Sequence, residues 1–274
     1  MVLRRGVLIA VEGIDGAGKT TQVGLLHEHL ERIGIESVRT KEPTNGSFGR
    51  RLRESALHGR LSADEELETF IKDRKEHVER VIRPALDQGK VVIVDRYYFS
   101  TAAYQGARGY DPDDIIARNE AFAPHPDMLF LLAIDPRTAI DRIHERGGVA
   151  NEFEKVEYLA QCGAVFERLD RPFVVKMDGT ANMEVIHERI LREIDRGPIF
   201  RATCFKDYLQ ECEPEYCSYR ISGECKYPSL DLARPSANVS IKLLNEIARS
   251  TSLTVQEKLD MTIRAFGEDK PQSG

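Results

Sequence analysis

The segment that most constrains the fold is the glycine-rich stretch at residues 13–20, Gly-Ile-Asp-Gly-Ala-Gly-Lys-Thr. An apolar run, 7–11, precedes it, and a segment with helical periodicity, 19–33, follows it. A strand, a loop and a helix in this order direct backbone N–H groups at one point, which favours phosphate binding. Lys19 would then contact the outer phosphates of a nucleoside triphosphate, and the Thr20 hydroxyl would bind Mg²⁺. The alternative, a glycine-rich turn that matches by chance, does not explain the strand and helix on either side.

Length and composition fit one sizeable domain with an appendage. The chain has 274 residues and a formal net charge of −6, which argues against a chain that binds nucleic acid through overall basic charge. No apolar run approaches the roughly 20 residues that a membrane-spanning helix needs. Only five apolar residues stand between the N-terminal arginines and Glu12, too few for a secretory signal, so we expect a cytoplasmic protein.

Apolar runs alternate with helical segments as far as about residue 197. This alternation predicts a doubly wound α/β fold, a parallel five-stranded sheet flanked by helices. Ligands bind such sheets at the carboxyl ends of the strands, where Glu42, Asp95 and Asp178 fall. The predicted strands are 7–11, 37–40, 91–94, 128–134 and 173–177. The predicted helices are 19–33, 64–88 with a bend at Pro84, 136–146, 152–170 and a last helix capped by Thr180.

The character of the chain changes after Gly197-Pro198. We therefore predict three parts: an α/β domain over 1–198, a cysteine-rich module over 199–230, and a helical segment with a disordered tail over 231–274.

Two further groups of charged residues suit phosphate chemistry. Asp95 and Arg96 end the strand 91–94, where the carboxylate can bind Mg²⁺ and the guanidinium can donate two parallel hydrogen bonds to a phosphate. Phe70 and Arg74 lie one helical turn apart, a spacing that suits a nucleotide base and its 5′-phosphate. The alternatives are a structural ion pair for the first group, and a core ring with a solvated arginine for the second.

Taken together, these residues resemble the thymidylate kinases, enzymes that transfer a phosphoryl group from ATP to dTMP. The resemblance covers roughly residues 5–196 and implies a P-loop fold, Mg²⁺ as cofactor, a role in nucleotide biosynthesis and a homodimer. The matching positions are 12–21, 41–43, Phe70, 73–74, 77–78, 81–86, 95–97, Ser100, 103–106, 126–127 and 178–179.

The resemblance also implies a role for each matching residue. ATP would contact Gly13, Ile14, Asp15, Gly16, Ala17, Gly18, Lys19, Thr20 and Thr21, with Asp178 and Gly179 near the adenine. Mg²⁺ would bind to Thr20 and Asp95. The acceptor dTMP would contact Asp15 at the 3′-hydroxyl, Phe70 on the thymine, Arg53, Arg74 and Arg96 around the phosphate, Ser100 and Gln105 at the base, and Tyr104 near the 2′ position, with Glu42 beside them.

The reaction needs no strong general base, because the attacking phosphate oxygen is already ionised at neutral pH. Catalysis would come from alignment and from cations around the transferred group, here Lys19, Arg96 and a metal ion held by Asp95. The family pattern also implies a mobile arginine, which Gly16 cannot supply. The segment 151–154 reads Asn-Glu-Phe-Glu where Asp-Arg often precedes Phe-Glu, so Arg146, and after it Arg142, is the candidate. This departure leaves open another nucleoside monophosphate as acceptor, or weak catalysis.

Four cysteines at positions 204, 212, 217 and 225 suit a tetrahedral zinc site in a cytosolic protein. Their spacing differs from paired C-x-x-C motifs, so an iron–sulfur cluster and four unligated thiols remain alternatives. We assign Cys162 to the core and none of the histidines to metal. The candidate zinc ligands are Cys204, Cys212, Cys217 and Cys225.

Two other functions compete with a nucleoside monophosphate kinase. A deoxynucleoside kinase would need a carboxylate base beside a neutral hydroxyl, and the predicted arginines argue against it. A nucleotide-binding regulatory protein, whose cysteine-rich tail binds an unknown partner, would fit the altered 151–154 segment.

Overall fold

A parallel five-stranded sheet forms the centre of the molecule. This computed structural model describes residue 3 and residues 5–145 and 152–196. The strand order is β2-β3-β1-β4-β5, with every pairing parallel. The fold class predicted from the alternation is thereby confirmed. The strands are β1 (Val7–Glu12), β2 (Ser37–Lys41), β3 (Val91–Asp95), β4 (Met128–Ala133) and β5 (Val174–Asp178).

The central strands are buried on both faces, which explains their nearly continuous apolar sequence. Every residue of β1 and β3 is buried, whereas β2, at the sheet edge, is half exposed. Successive side chains of β1 enter opposite cores: Leu8 packs in one, and Val7 and Ile9 pack in the other. The carboxyl ends of β1 and β3 therefore meet at one edge of the sheet.

The helices lie on both faces of the sheet. The structure adds α2, α5 and α6 to the helices predicted from sequence. Helix α5 is buried along most of its length and so lacks the amphipathic pattern that would have predicted it. The helices are α1 (Lys19–Arg32), α2 (Ser47–His58), α3 (Ala63–His77), α4 (Arg83–Asp87), α5 (Tyr98–Gly106), α6 (Pro112–Glu120), α7 (Pro136–Glu145), α8 (Glu152–Glu167) and α9 (Met183–Arg196).

Two predicted helices differ from the structure, one in its interior and one at its cap. The predicted helix 64–88 contains a π-helical segment, Val78–Ile82, between α3 and α4. Pro84 follows that segment in the first turn of α4, and the wider turn is where a residue without a backbone N–H can be accommodated. Thr180 does not cap the last helix, because its Oγ1 donates to Asp178 Oδ1 at 2.6 Å. The first turn of α9 is capped instead by Asn182, which accepts from the N–H of Glu184 at 3.1 Å.

Several sequence predictions concern residues outside the described ranges. They include Arg146, the four clustered cysteines and both C-terminal segments, 199–230 and 231–274, which stay predictions. Within the described ranges, no helix is both long enough and apolar enough to cross a membrane.

Candidate active site

The loop between β1 and α1 is built for close backbone contact. Gly13, Gly16 and Gly18 all adopt positive φ, at 142°, 83° and 92°. A Cβ at Gly16 would lie 2.3 Å from the carbonyl oxygen of Ala139 in α7, so no larger residue fits without a backbone shift. The packing of α7 thus excludes an arginine from this position of the loop, and a further cation must come from elsewhere.

Lys19 lies inside this loop. Its Nζ donates to the carbonyl oxygen of Ile14 at 2.7 Å, and the residue is buried. Burial, together with the nearby Arg96 charge, lowers the pKa of Lys19 to about 7. An anion bound in the loop would favour the protonated amine, so the side chain is suited to contact phosphate.

Thr20 and Asp95 bring two oxygen ligands together. The Thr20 hydroxyl donates to Asp95 Oδ2 at 2.5 Å, which joins the start of α1 to the end of β3. No group of three or more His, Cys, Asp or Glu side chains forms a metal site within the described ranges. Two oxygen ligands fit Mg²⁺, which usually retains waters and binds substrate phosphates rather than a complete protein cage.

Arg96 connects the loop to α5. Its Nη2 lies 2.6 Å from Asp15 Oδ1, and its Nη1 donates to Ser100 Oγ at 3.1 Å. Tyr104 completes this group: its hydroxyl donates to Asp15 Oδ2 at 2.8 Å and accepts from the Asp15 N–H at 3.0 Å. Burial would raise the pKa of Asp15, but the charges of Arg96 and Lys19 outweigh it and the pKa is lowered. Asp15 is therefore held as a carboxylate beside two cations.

Arg74 lies in a buried cluster of polar side chains beside Glu42, which follows β2. Its Nε donates to Glu42 Oε2 at 2.8 Å, and its Nη atoms donate to Asn119 Oδ1 at 2.6 Å and Thr101 Oγ1 at 2.9 Å. His77 Nδ1 lies 2.9 Å from the other oxygen of Glu42. Burial would raise the pKa of Glu42, but Arg74 and His77 outweigh it, and the pKa is lowered. All three guanidinium nitrogens of Arg74 are thus bonded internally.

Two cavities open at this edge of the sheet. One, of about 320 Å³, lies against the glycine-rich loop and is lined by Lys19, Thr20 and Asp95. The other, of about 390 Å³, is lined by Phe70, Arg74, Thr101 and Tyr104 among others. Five residues line both cavities, so the cavities meet at these residues. The shared residues are Asp15, Glu42, Pro43, Arg53 and Arg96.

Among the described site residues predicted outside residues 13–21, four line neither cavity. Gln105 is fully buried and donates to Glu66 Oε1 at 2.7 Å. Asp178 ends β5 and Gly179 begins the turn after it, where the Gly179 carbonyl accepts from Arg142 Nη1 at 2.8 Å. Neither Gln105 nor Arg142 is among the residues that line the two cavities. Their predicted ligand contacts, like those of the residues within the cavities, stay predictions.

The sequence analysis assigned no role to Glu12, Thr101 or Asn119. Glu12 ends β1 and has no exposed surface, and burial raises its pKa to about 7, partly offset by hydrogen bonds from Ser100 and Tyr97. A carboxylate at the end of an apolar run was the signal that could have identified it. Thr101 and Asn119, which bond Arg74, come from α5 and α6, and their sequence positions carry no comparable signal.

Comparison with known proteins agrees with this architecture. The family model for thymidylate kinase matches residues 11–190. A thymidylate kinase of Akkermansia muciniphila is 47% identical over 191 residues, covering 70% of this chain and 92% of the relative. Those of Xanthomonas euvesicatoria pv. vesicatoria and Xylella fastidiosa are 49% and 47% identical, covering 66% and 68% of this chain and 80% and 85% of the relatives. The chain belongs to the thymidylate kinase family.

Proposed function

We propose that this chain transfers the γ-phosphoryl group of ATP to dTMP, yielding ADP and dTDP. The observation that carries the proposal is the meeting of the two cavities at Asp15 and Arg96. One cavity has the glycine-rich loop and Lys19, which suit a triphosphate. The other has Phe70 and Tyr104, which suit a nucleoside. Two nucleotides bound there would face each other through their phosphates.

The chemistry follows from alignment and charge. A phosphate oxygen of dTMP would attack the γ-phosphorus of ATP while the bond to the β-phosphate oxygen breaks, so that ADP leaves. Lys19 and Arg96 would neutralise charge on the transferred group from two directions. Thr20 and Asp95 would hold Mg²⁺, which supplies further neutralisation of the ATP phosphates when bound. Arg146, and after it Arg142, remains our candidate for an additional cation.

The acceptor cavity supports a deoxynucleoside monophosphate. Phe70 supplies a ring for stacking on the base, and Arg53 lines the junction of the cavities, where the acceptor phosphate would lie. Two hydrogen bonds to Asp15 fix the Tyr104 hydroxyl, so the ring would be held beside the sugar of the acceptor. We infer that the ring crowds the 2′ position and disfavours acceptors with a 2′-hydroxyl.

An assay of ADP release with a panel of nucleoside monophosphates and nucleosides tests this function. We expect turnover with dTMP to exceed turnover with every other acceptor. Preferred turnover of another monophosphate would correct the substrate, and turnover of nucleosides alone would identify a nucleoside kinase. Tight ATP binding without turnover would favour a regulatory protein.

Replacement of Lys19 tests the role of the loop. Lys19→Met removes the cation nearest the outer phosphates, so we expect kcat to fall at least ~10³-fold with little change in melting temperature. Lys176→Met is the matched control, because Lys176 also donates to a backbone carbonyl, that of Glu167 at 2.6 Å, but lies outside both cavities. Undiminished turnover of Lys19→Met would contradict the mechanism.

Two further proposals concern a metal ion and the oligomeric state. We propose that Cys204, Cys212, Cys217 and Cys225 bind one Zn²⁺, because four closely spaced thiolates suit a tetrahedral site. Elemental analysis of the purified chain should then give one zinc per chain, and iron or no metal would contradict the proposal. We also propose, from the resemblance, that the chain forms a homodimer, which sedimentation equilibrium tests.

A further inference from the structure

The carboxyl group of Glu12 contacts neither cavity, yet it organises the segment that carries Arg96. Its Oε1 accepts from the backbone N–H groups of Tyr97 at 2.7 Å and Ser100 at 3.0 Å. Its Oε2 accepts from the Ser100 hydroxyl at 2.5 Å. Tyr97 precedes α5 and makes no side-chain cap of its own; Glu12 in β1 instead bonds the N–H of Tyr97 and the N–H of Ser100 in the first turn of the helix.

The Ser100 hydroxyl connects Glu12 to Arg96, because it bonds both side chains. Because the hydroxyl proton is directed at Glu12, the serine oxygen is left to accept from Arg96 Nη1 at 3.1 Å. Arg96 also adopts a positive φ of 68°, which is uncommon for a residue with a side chain and needs support from surrounding contacts. Glu12 supplies such support on the C-terminal side, since it bonds the next residue, Tyr97.

We propose that Glu12 is a positioning residue, which holds Arg96 towards the acceptor phosphate through Ser100 and the first turn of α5. The inference rests on the proposed function, because it takes Arg96 as a ligand of the acceptor. Glu12 does not touch the substrate and donates no proton to it.

Stability alone does not explain a carboxyl group at this position. Burial raises the pKa of Glu12 to about 7, so the ionised form at neutral pH makes the folded state less stable than it would be with a neutral group. Activity and stability often trade off, so a group that lowers stability is expected where function requires it. The pairing of this cost with the Ser100–Arg96 contact favours a positioning role.

The test compares dTMP and ATP binding in five chains by calorimetry, together with steady-state kinetics. The first three are the wild type, Glu12→Gln and Ser100→Ala. In Glu12→Gln the amide donates towards Ser100 where the carboxylate accepted, so the serine proton must turn elsewhere. We expect the Kd and KM for dTMP to rise about tenfold, and the Kd for ATP to stay within about twofold of wild type.

Glu31→Gln, the fourth chain, is the matched control. Glu31 accepts from the N–H and the Oγ of Ser37, at 3.0 and 3.2 Å, the same donor pair at a site away from both cavities. We expect this variant to bind dTMP and ATP as the wild type does. Ser100→Ala serves as a second perturbation of the same path should Glu12→Gln fail to fold. When both single variants fold, the fifth chain combines Glu12→Gln with Ser100→Ala. Its affinity for dTMP should be about that of the weaker-binding single variant, because both changes disrupt the same chain of hydrogen bonds.

The outcomes separate the inference from the proposed function. Unchanged dTMP affinity in Glu12→Gln, additive effects in the double variant, or equal losses of ATP and dTMP affinity with a lower melting temperature would each overturn the positioning role. A wild type that binds dTMP without turnover would refute the proposed function, and the Kd ratios would still decide the role of Glu12. A wild type that does not bind dTMP would refute both.

Discussion

The two arginines at the carboxyl edge of the sheet, Arg96 and Arg74, each pair with a carboxylate, but they differ in how completely that pairing is closed. Arg74 is 1% exposed, and its partner Glu42 is 4% exposed. Arg96 is 18% exposed, and its partner Asp15 is 53% exposed. Both pairs line the cavities, but the first is almost wholly buried among side chains, whereas the second is partly exposed where the cavities meet.

The difference in exposure indicates which of the two arginines can bind a ligand. A buried ion pair contributes little net stability, but removal of one partner is costly because the other charge is left without compensation. A partly exposed pair can exchange its partner for a bound phosphate at small cost. We therefore expect Arg96 to affect mainly activity and Arg74, which also lines the acceptor cavity, to affect mainly stability, and identical substitutions at both positions test that contrast.

Arg96→Met should produce the largest effect. The variant loses the cation at the junction of the cavities, so we expect kcat/KM for dTMP to fall about 10³-fold, equivalent to ~4 kcal/mol. The free energy of unfolding should change by less than about 1.5 kcal/mol, because Asp15 can be solvated once it is unpaired. A variant that loses stability but retains turnover would break the contrast between the two pairs.

Arg74→Met should have the next largest effect, and on stability. It leaves the Glu42 carboxylate buried without its main partner, so we expect the free energy of unfolding to fall by about 3 kcal/mol in denaturant titrations. The double variant with Glu42→Gln removes both charges and should recover more than half of that loss. If the double variant is as unstable as Arg74→Met, the loss arises from packing rather than from an unpaired charge.

The smallest expected effect is on how the free energy of unfolding decreases at acidic pH. The pKa of Glu42 in the folded chain lies below its ordinary value of 4.5. Its stabilising contribution is therefore complete above that value and is lost as the pH falls through the lower, folded-state pKa. Unfolding measured from about pH 7 to about pH 3 should show a steeper decline for the wild type than for the Arg74→Met, Glu42→Gln double variant. Parallel declines would show that this pair does not determine the decrease at acidic pH.

Much of the architecture could be predicted because strong local signals agree with it. The sequence identified all five strands to within about a residue, several of them from nearly continuous apolar runs, and the glycine-rich loop located the first cavity. Helices α2, α5 and α6 were not predicted. Helix α5 is buried on nearly all sides, so its sequence lacks the amphipathic periodicity that predicts a helix. The start of α6 could have been predicted, because Asp111-Pro112 is a typical N-cap followed by a first helical residue.

The sequence by itself determined which residues stand at the strand ends: the glycine-rich loop after β1, Asp95-Arg96 at the end of β3 and Glu42 after β2. Those features depend on residues close together in the chain, where spacing and propensity are informative. Only the tertiary structure decided that Arg96 faces the junction of the cavities while Arg74 is enclosed by Glu42, Thr101 and Asn119. The reason is physical: the availability of a charge depends on burial and on partners from other elements, and these are fixed only when the helices pack against the sheet.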